Sequence, residues 1–290
     1  MNSCAVNGAA NIINDYCKEI EMLNDNASIE KLRWIMEQLR DPKTGCPWDL
    51  KRNFSSITSH TLEEAYEVVD AIEQHDFVEL NKELGDLLFQ VIFYSQLGQE
   101  QQLFDFDSVV EAICEKLIRR HPHVFSDADL STDAQIKANW ENEKVKERQS
   151  KNKQDNLSIL ADIPKNLPAL SQAAKIQKRC SHVGFDWDNM QDVFAKIEEE
   201  VLEVKEELEA KEIDQVALGE ELGDLMFAVV NLCRHAKKDP ETLLRQANQK
   251  FTKRFHGVEA QVNQSEKSFT EHDLAQLEQY WQNVKVQEKS

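Results

Sequence analysis

The sequence predicts an all-α protein made of two tandem copies of one helical domain. Glycine and proline are scarce, with 8 and 6 among 290 residues, which disfavours a β fold rich in turns. Apolar residues recur three and four positions apart along most of the chain, which is the spacing of amphipathic helices. The motifs of the first half also return in the second half in the same order, which indicates a duplicated architecture.

The first half contains five predicted helices. From Ile29 the apolar residues have helical spacing as far as residue 39, and the proline and glycine of residues 41–45 end the segment. Thr61 and Glu64 fit a capping box, so the next helix is predicted to begin there. Pro122 stops the fourth helix, because the residue before proline is biased away from helical backbone. The helices after the first are predicted at 62–73, 78–97, 107–120 and 133–148.

The second half repeats this order. Its helices are predicted at 169–180, 193–211, 216–236, 241–255 and 274–284. Between the halves, residues 149–156 include no apolar side chain, which is typical of a solvated linker. We therefore predict an N-terminal extension at 1–28, a first domain at 29–148, a linker at 149–157 and a second domain at 158–290.

Corresponding landmarks in the two halves are separated by a nearly constant number of residues. The offset is 139 between Gly45 and Gly184, 136 between Glu64 and Glu200, 138 between Glu83 and Glu221, 134 between Lys116 and Lys250, and 141 between Trp140 and Trp281. Small changes in loop length account for a drift of this size. The repeat is therefore one domain copied twice, not a short-period solenoid.

Pairs of carboxylates carry the strongest chemical signal. Glu200 with Glu203, and Glu221 with Asp224, are each three residues apart and so share a helix face. Both pairs flank apolar stripes, so two packed helices would gather four carboxylates that repel one another unless a cation is present. Ligands that are all oxygen favour a hard ion, magnesium or its substitute manganese. One such pair alone is common on exposed helices. The first half repeats the arrangement at Glu64, Glu67, Glu83 and Asp86.

Basic and aromatic residues near these pairs are candidate nucleotide contacts. Lys196, Lys250 and Arg254 could hold the phosphates of a nucleotide, and the last two share one helix face. Further candidates are Lys175, Lys178 and Arg179. The alternative for each is an ordinary surface ion pair. Trp187 and Trp281 are more often core anchors than platforms for stacking a base.

Two glycines lie in the middle of predicted helices at corresponding positions, Gly85 and Gly223. Glycine there costs about 1 kcal/mol relative to alanine. Its presence in both copies favours close helix contact or close approach of a ligand. No Glu-x-x-His sequence occurs in the chain, which disfavours a di-iron bundle.

Composition excludes several classes of function. The formal charge of −19 disfavours broad binding to nucleic acid or to an anionic membrane. Six scattered cysteines without a Cys-x-x-Cys pair disfavour both a disulfide framework and a zinc site. No apolar run reaches the ~18–20 residues that span a bilayer, and the N-terminus does not resemble a signal peptide. We therefore expect a cytoplasmic protein with reduced thiols.

An ordered set of motifs resembles the MazG family of nucleoside triphosphate pyrophosphohydrolases. The motifs are Gly-Cys-Pro-Trp-Asp, Leu-Glu-Glu-Ala-Tyr-Glu-Val, Glu-Leu-Gly-Asp-Leu-Leu-Phe-Gln-Val, Arg-Arg-His-Pro-His-Val-Phe, Lys-Ile-Gln-Lys-Arg-Cys and Val-Gly-Phe-Asp-Trp. They extend over about residues 29–287. The resemblance implies an all-α fold with a four-helix core in each copy, a homodimer, and magnesium-dependent hydrolysis of nucleoside triphosphates, ATP included, to monophosphate and pyrophosphate. It also implies broad base tolerance and action on non-standard nucleotides, which is a house-cleaning role.

The resemblance also assigns roles to residues of the second copy. The metal-binding motif matches Glu200, Glu203, Glu221 and Asp224. The nucleotide-contacting positions match Lys196, Glu199, Glu220, Lys250, Arg254 and Trp281. A carboxylate near the metal, either Glu199 or Glu200, would accept the proton of the attacking water.

The two copies differ in basic residues and not in acidic ones. By the offsets above, Lys196, Lys178 and Lys175 become His60, Leu39 and Met36 in the first copy. We therefore predict that the second copy performs most of the catalysis. Two rivals remain at this stage, a pyrophosphatase of the same superfamily with a narrow substrate and a non-catalytic helical interaction protein.

Overall fold

The computed structural model describes residues 27–151, 158–265 and 267–288, and these ranges contain helices and no strand. The all-α prediction is confirmed. The chain divides into two compact units, Met1–Lys151 and Asn152–Ser290. None of the helices in these ranges is long and apolar enough to cross a membrane.

The described part of the first unit contains six α-helices. They are α1 (Ile29–Leu39), α2 (Thr58–Glu73), α3 (Phe77–Glu100), α4 (Phe106–Arg120), α5 (Pro122–Phe125) and α6 (Asp133–Lys151). Helices α2 and α3 form an antiparallel hairpin, α1 and α4 pack against α3, and α6 packs against α4. The buried core beneath this hairpin consists of Met36, Ile57, Ile92, Phe93 and Leu97.

The second unit repeats this plan with five helices in its described part. They are α7 (Ala169–Ser181), α8 (Met190–Glu209), α9 (Gln215–His235), α10 (Pro240–Gln264) and α11 (Leu274–Gln287). Helices α8 and α9 form the hairpin, α7 packs against α9 and α10, and α10 packs against α11. Helix α10 ends nine residues beyond its predicted end, because Val258 and Val262 extend its apolar stripe and pack against Val284.

The two acidic hairpins begin their second helices with the same cap. Asp76 accepts hydrogen bonds from the backbone of Val78 and Glu79, and Asp214 accepts them from Val216 and Ala217. Such a cap satisfies backbone N–H groups that have no partner in the first turn. The offset between the two caps is 138 residues, the same as for the acidic residues that follow them.

The predicted capping box at Thr61 is wrong. Helix α2 begins at Thr58, and its N-cap residue Ile57 makes no side-chain hydrogen bond. The Thr61 hydroxyl lies within the helix, where it donates to the Ile57 carbonyl at 3.1 Å and lies 2.9 Å from the Tyr94 hydroxyl. A 3₁₀ turn at Ser55–Ile57 precedes the helix and brings Ile57 into the core.

The glycines of the acidic helices have open surroundings. A Cβ atom added at Gly85 or at Gly223 would meet no atom within 4 Å. Contact between helices of the described chain therefore does not explain these residues, and that part of the expectation is wrong.

The predicted linker partly overlaps a helix. Helix α6 continues to Lys151, so residues 149–151 are helical, and residues 152–157 lie outside the described ranges. Of the predicted extension at 1–28, residues 1–26 also lie outside them. Among the described cysteines, Cys46, Cys114, Cys180 and Cys233 are free thiols.

An ion pair between α4 and α6 provides a test of the packing of the first unit. Arg120 donates from Nε to Glu147 Oε1 at 3.0 Å and from Nη2 to Oε2 at 2.6 Å. These bonds, opposed by burial and reinforced by Arg119, lower the pKa of Glu147 from 4.5 to about 2. The folded state thus favours the carboxylate, so the stabilisation is present above pH 4.5 and disappears as the pH falls toward 2.

We expect Glu147→Gln to lower the free energy of unfolding by about 2 kcal/mol at pH 7, after allowance for solvent screening. Urea unfolding at pH 7 and at pH 3 measures the effect, which should be smaller at pH 3. Glu111→Gln, at an exposed position on α4, is the control. Equal destabilisation at both pH values would contradict the role of this ion pair.

Candidate metal and nucleotide site

The α8–α9 hairpin brings three predicted metal ligands together. One carboxylate oxygen each from Glu200, Glu203 and Glu221 lies within 4.8 Å of the others. Glu200 and Glu203 are one helical turn apart on α8, and Glu221 faces them from α9. The helical spacing of the sequence and the antiparallel hairpin together produce this cluster.

Glu200 is the most buried member of the cluster, with 5% of its surface exposed. Its Oε1 forms an ion pair with Lys196 Nζ at 2.8 Å. Its Oε2 is buried and has no hydrogen-bond partner in the described chain. A buried carboxylate oxygen without a partner is costly, and a bound cation is one way to satisfy it. The all-oxygen donor set fits magnesium or manganese.

Electrostatics within the cluster agree with this interpretation. Burial, together with the nearby carboxylate of Glu200, raises the pKa of Glu203 above its ordinary value. Hydrogen bonds to Glu200 and Glu199 raise the pKa of Lys196, so its ammonium group is firmly held in the charged form. One lysine thus compensates part of a negative charge that a divalent cation would balance more fully.

Asp224 lies beside this cluster and not within it. It is exposed, and it lines a cavity of about 510 Å³ together with Glu200 and Lys196. The other lining residues are Ile176, Gln177, Cys180, Phe185, Asp186, Trp187, Phe227, Ala228, Asn231 and Arg234. The carboxylates of Glu200 and Asp224 therefore line part of this cavity. Its volume is typical of small-molecule sites, about 300–1,000 Å³.

Part of the cavity wall is a polar network that includes Asp186, Asn231 and Arg234. Arg234 donates from Nε and Nη2 to Asn231 Oδ1, at 2.9 and 2.7 Å, and also pairs with Asp186. His235 Nε2 lies 2.9 Å from the same Asp186 oxygen. Although burial opposes it, hydrogen bonding from Arg234 and His235 holds the pKa of Asp186 below its ordinary value. Gln177 donates from Nε2 to the Phe227 carbonyl at 2.8 Å.

Comparison with known proteins identifies the family. The model of the MazG nucleotide pyrophosphohydrolase domain matches the chain twice, at residues 52–125 and 189–262. An Escherichia coli protein named nucleoside triphosphate pyrophosphohydrolase is 49% identical over 260 residues, which cover 90% of this chain and 98% of that protein. The chain belongs to the MazG family.

A second MazG relative extends the comparison. A Thermotoga maritima protein named nucleoside triphosphate pyrophosphohydrolase/pyrophosphatase MazG is 40% identical over 256 residues, which cover 88% of this chain and 95% of that protein. The predicted resemblance is confirmed, and so is the predicted enzyme class, a hydrolase that acts on phosphoric anhydride bonds. The two domain matches cover α2 to α4, and α8 to α10 as far as residue 262. They therefore include α2, α3, α8 and α9, which carry the candidate metal ligands of both copies.

The predicted nucleotide-contacting residues of the second MazG domain lie on several helices and do not form one cluster with the carboxylates. Glu199 is exposed, and its Oε1 accepts from Lys196 at 2.9 Å. Glu220 and Lys250 are exposed on α9 and α10. Arg254 donates from Nε to Glu288 at 2.8 Å and lies over the Trp281 ring at 5.9 Å.

Trp281 itself packs in the core between α10 and α11. Its ring centroid lies 5.1 Å from that of Phe251, and it borders the buried cluster of Val258, Val262 and Val284. Lys250, Arg254 and Trp281 are not among the cavity-lining residues. Of the further basic candidates, Arg179 donates to the backbone carbonyls of Ile159 and Ala161.

The first MazG domain has an acidic cluster without the same surroundings. Oxygens of Glu64, Glu83 and Asp86 lie within 4.8 Å of one another, whereas Glu67 is exposed and outside this group. Burial, followed by repulsion from Asp86, raises the pKa of Glu64. Three of the four predicted carboxylates thus approach each other in each copy, but Glu67 is the one outside the group in the first copy and Asp224 in the second.

One polar position of the cavity wall has an apolar counterpart in the first domain. At an offset of 138 residues, Asn231 corresponds to Phe93, which is buried in the core. Two residues outside the lining also have buried apolar counterparts: His235, a partner of Asp186, corresponds to Leu97, and Lys175 corresponds at an offset of 139 to Met36. Sequence reasoning identified the lysine difference but missed the cavity residues. For Asn231, a polar side chain at an apolar position of the first copy was a signal.

Proposed function

We propose that this protein is a magnesium-dependent nucleoside triphosphate pyrophosphohydrolase whose working site is in the second domain. The observation that carries the proposal is the buried, unpartnered Glu200 Oε2, which stands among three clustered carboxylates beside a cavity. The names of the Escherichia coli and Thermotoga maritima relatives support the substrate class. The substrates are ribo- and deoxynucleoside triphosphates, ATP included, and removal of non-standard nucleotides is the proposed physiological role.

The reaction requires water to attack the α-phosphorus. A new bond forms between the water oxygen and that phosphorus, the bond to the bridging oxygen of the β-phosphate breaks, and pyrophosphate leaves. Glu200, Glu203, Glu221 and Asp224 are the proposed ligands of magnesium. Magnesium held there supplies neutralisation of phosphate charge and a bound water of lowered pKa, and manganese is a chemically suitable substitute.

Glu199 is the proposed acceptor of the water proton. Both oxygens of Glu200 have other roles, because Oε1 is paired with Lys196 and Oε2 is the orphaned oxygen available to the metal. Glu199 uses one oxygen for Lys196 and is exposed on the same side of α8 as that lysine. Lys196 orients both carboxylates and places a positive charge next to the phosphates.

We expect Glu199→Gln to lower kcat by roughly 100-fold, the lower range for loss of a general base, because the amide cannot accept the proton. The magnesium-dependent rise in Tm should remain, since the metal ligands are intact. Differential scanning fluorimetry with and without magnesium separates the two effects. Unchanged kcat, or loss of the thermal shift together with kcat, would contradict this assignment.

Lys250, Arg254, Glu220 and Trp281 are proposed contacts of the phosphates and nucleotide by their match to family positions. For Arg254 this requires a change of partner, because its guanidinium is paired with Glu288. Arginine is suited to such an exchange, since its planar fork binds carboxylate and phosphate with similar geometry.

Product analysis tests the function directly. We expect purified protein with magnesium and ATP, CTP, GTP or UTP to release pyrophosphate and monophosphate, and excess EDTA to abolish the release. Pyrophosphate and orthophosphate are assayed separately, without added inorganic pyrophosphatase. Orthophosphate as the primary product would contradict the proposed bond cleavage. Absence of any product, together with absence of a magnesium-dependent thermal shift, would favour the helical interaction protein.

A homodimer is the proposed assembly. Helices α8 and α9 carry many exposed apolar side chains, among them Val201, Leu202, Leu208, Val216, Leu222, Met226 and Val229. Exposed apolar side chains in this number on one hairpin favour an interface between chains. Sedimentation equilibrium should give twice the chain mass, and Met226→Glu should shift the population toward the monomer. A monomer at micromolar concentration would contradict the assembly.

A further inference from the structure

We propose that the cavity beside Glu200 holds the nucleoside half of the substrate and that Gln177 Oε1 accepts a hydrogen bond from it. This inference rests on the proposed function, because it assumes a nucleotide whose phosphates lie at the carboxylate cluster. Neither the family match nor the names of the relatives assign a role to the cavity wall.

Gln177 is the first observation that points to a ligand. It is 7% exposed, and its Nε2 is used by the Phe227 carbonyl at 2.8 Å. That bond fixes the orientation of the amide, so Oε1 is left buried in the cavity wall with no hydrogen-bond partner in the described chain. A buried carbonyl oxygen without a partner costs free energy that a bound donor would recover. The donors that a nucleoside offers are its ribose hydroxyls and the N–H groups of its base.

Gln177 lies on α7, and the point at which it contacts α9 suits this role. It bonds to Phe227, three residues after Asp224, and at 1.5 Å per residue this is about 4.5 Å from the carboxylate end. Asn231 and Arg234 follow at about 10 and 15 Å on the same helix. A substrate with its α-phosphate at Asp224 and Glu200 would therefore extend past Gln177 into the polar network.

The rest of the wall supplies the other contacts that a base requires. Asn231 Oδ1 is occupied by two bonds from Arg234, so Nδ2 is the polar group that remains for a ligand. Arg234 is itself held between Asn231 and Asp186, which fixes its position. The aromatic rings of Phe185 and Trp187, at 77% and 41% exposure, line the same cavity and are available for stacking. Fixed polar groups deep in the wall and exposed aromatic rings fit a planar heterocycle.

The decisive variant is Gln177→Met, which keeps the length of the side chain and removes both polar atoms. We expect kcat/KM for ATP to fall about tenfold, the effect of one lost hydrogen bond. The inhibition constant of magnesium tripolyphosphate, which has no nucleoside, should not change. The matched control is Gln90→Met in the first domain, since Gln90 is also 7% exposed with a buried, unpartnered Oε1. An equal loss in both variants, or equal weakening of tripolyphosphate, would overturn the proposal.

Two substrate analogues identify the donor. If a ribose hydroxyl donates, 2′-deoxyATP should be the poorer substrate of the wild type, and Gln177→Met should remove that preference. If the base donates, N6,N6-dimethylATP should be the poorer substrate of the wild type, and Gln177→Met should remove that preference. If Gln177→Met keeps both preferences unchanged, the role of Gln177 is overturned.

A measurement independent of turnover uses Cys180, a half-buried free thiol in the cavity wall. Wild-type protein is treated with N-ethylmaleimide, and labelling of each cysteine is measured by mass spectrometry. The non-hydrolysable α,β-methylene ATP, with magnesium, should protect Cys180 but not the exposed Cys114, and tripolyphosphate should protect neither. Equal or absent protection by the two ligands would overturn the inference even if pyrophosphate is released. Protection without pyrophosphate release would contradict only the proposed function.

Discussion

Glu221→Ala is expected to lower pyrophosphate release by roughly 100-fold or more, because a metal ligand worth several kcal/mol of charge stabilisation is lost. The corresponding variant of the first domain, Glu83→Ala, is expected to retain most of the activity. Both residues belong to clusters of similar geometry. The expected difference therefore arises from the surroundings, since the second domain has Lys196 paired with Glu200 and the first has His60 near Glu63.

Steady-state rates for the two variants are compared with that of Glu206→Ala, whose position is exposed on α8 outside the cluster. The magnesium-dependent rise in Tm of each variant is a second measurement, which reports metal binding independently of turnover. Glu83→Ala should change the thermal shift if the first cluster binds metal, with little effect on turnover. A larger loss of turnover from Glu83→Ala than from Glu221→Ala would refute the assignment of catalysis to the second domain.

Asn231→Phe is expected to produce the second large effect. It introduces the residue that the first domain carries at the corresponding position, where Phe93 is 2% exposed and packed in the core. In the second domain this ring would occupy the cavity, so nucleotide turnover should fall roughly 100-fold through misplacement of the substrate. Thermal stability should change little, because the apolar contacts of the new ring are offset by the loss of two hydrogen bonds from Arg234 to Asn231 Oδ1.

Asn231→Ser separates blockage from loss of the amide. It removes the same hydrogen-bonding group but enlarges the cavity, so it should retain clearly more activity than Asn231→Phe. Inhibition by tripolyphosphate should be similar in both variants, since the carboxylate cluster is unchanged. Full activity of Asn231→Phe would show that substrate does not enter this cavity.

The helices and the acidic clusters could be predicted because their signals are local. The α8–α9 hairpin follows from apolar spacing and from the Asp214 cap, and the carboxylates are placed by helical periodicity. Helix ends were less predictable where tertiary packing decides them. Helix α10 continues to Gln264 because Val262 is covered by Val284, which lies 22 residues further along the chain.

The cavity could not be predicted in the same way, because its polar contacts join distant residues. Gln177 bonds to Phe227 across 50 positions, and Asp186 meets Arg234 across 48. Gln177 and Asp186 belong to the Lys-Ile-Gln-Lys-Arg-Cys and Val-Gly-Phe-Asp-Trp motifs, but these motifs do not show which distant residues they contact. Alignment of the two copies gives a signal for Asn231, because this polar residue corresponds to the apolar Phe93 at a core position of the repeat.

The difference between Asn231 and Phe93 has a consequence for how the duplicated chain responds to mutation. Substrate cavities are lined with buried polar groups that lower stability, and a domain relieved of substrate can exchange them for core. Phe93 is such a replacement under the proposed assignment of catalysis to the second domain. Under that proposal, a duplicated chain can carry a stabilising apolar side chain at this position in one copy and keep the polar side chain that a substrate requires in the other.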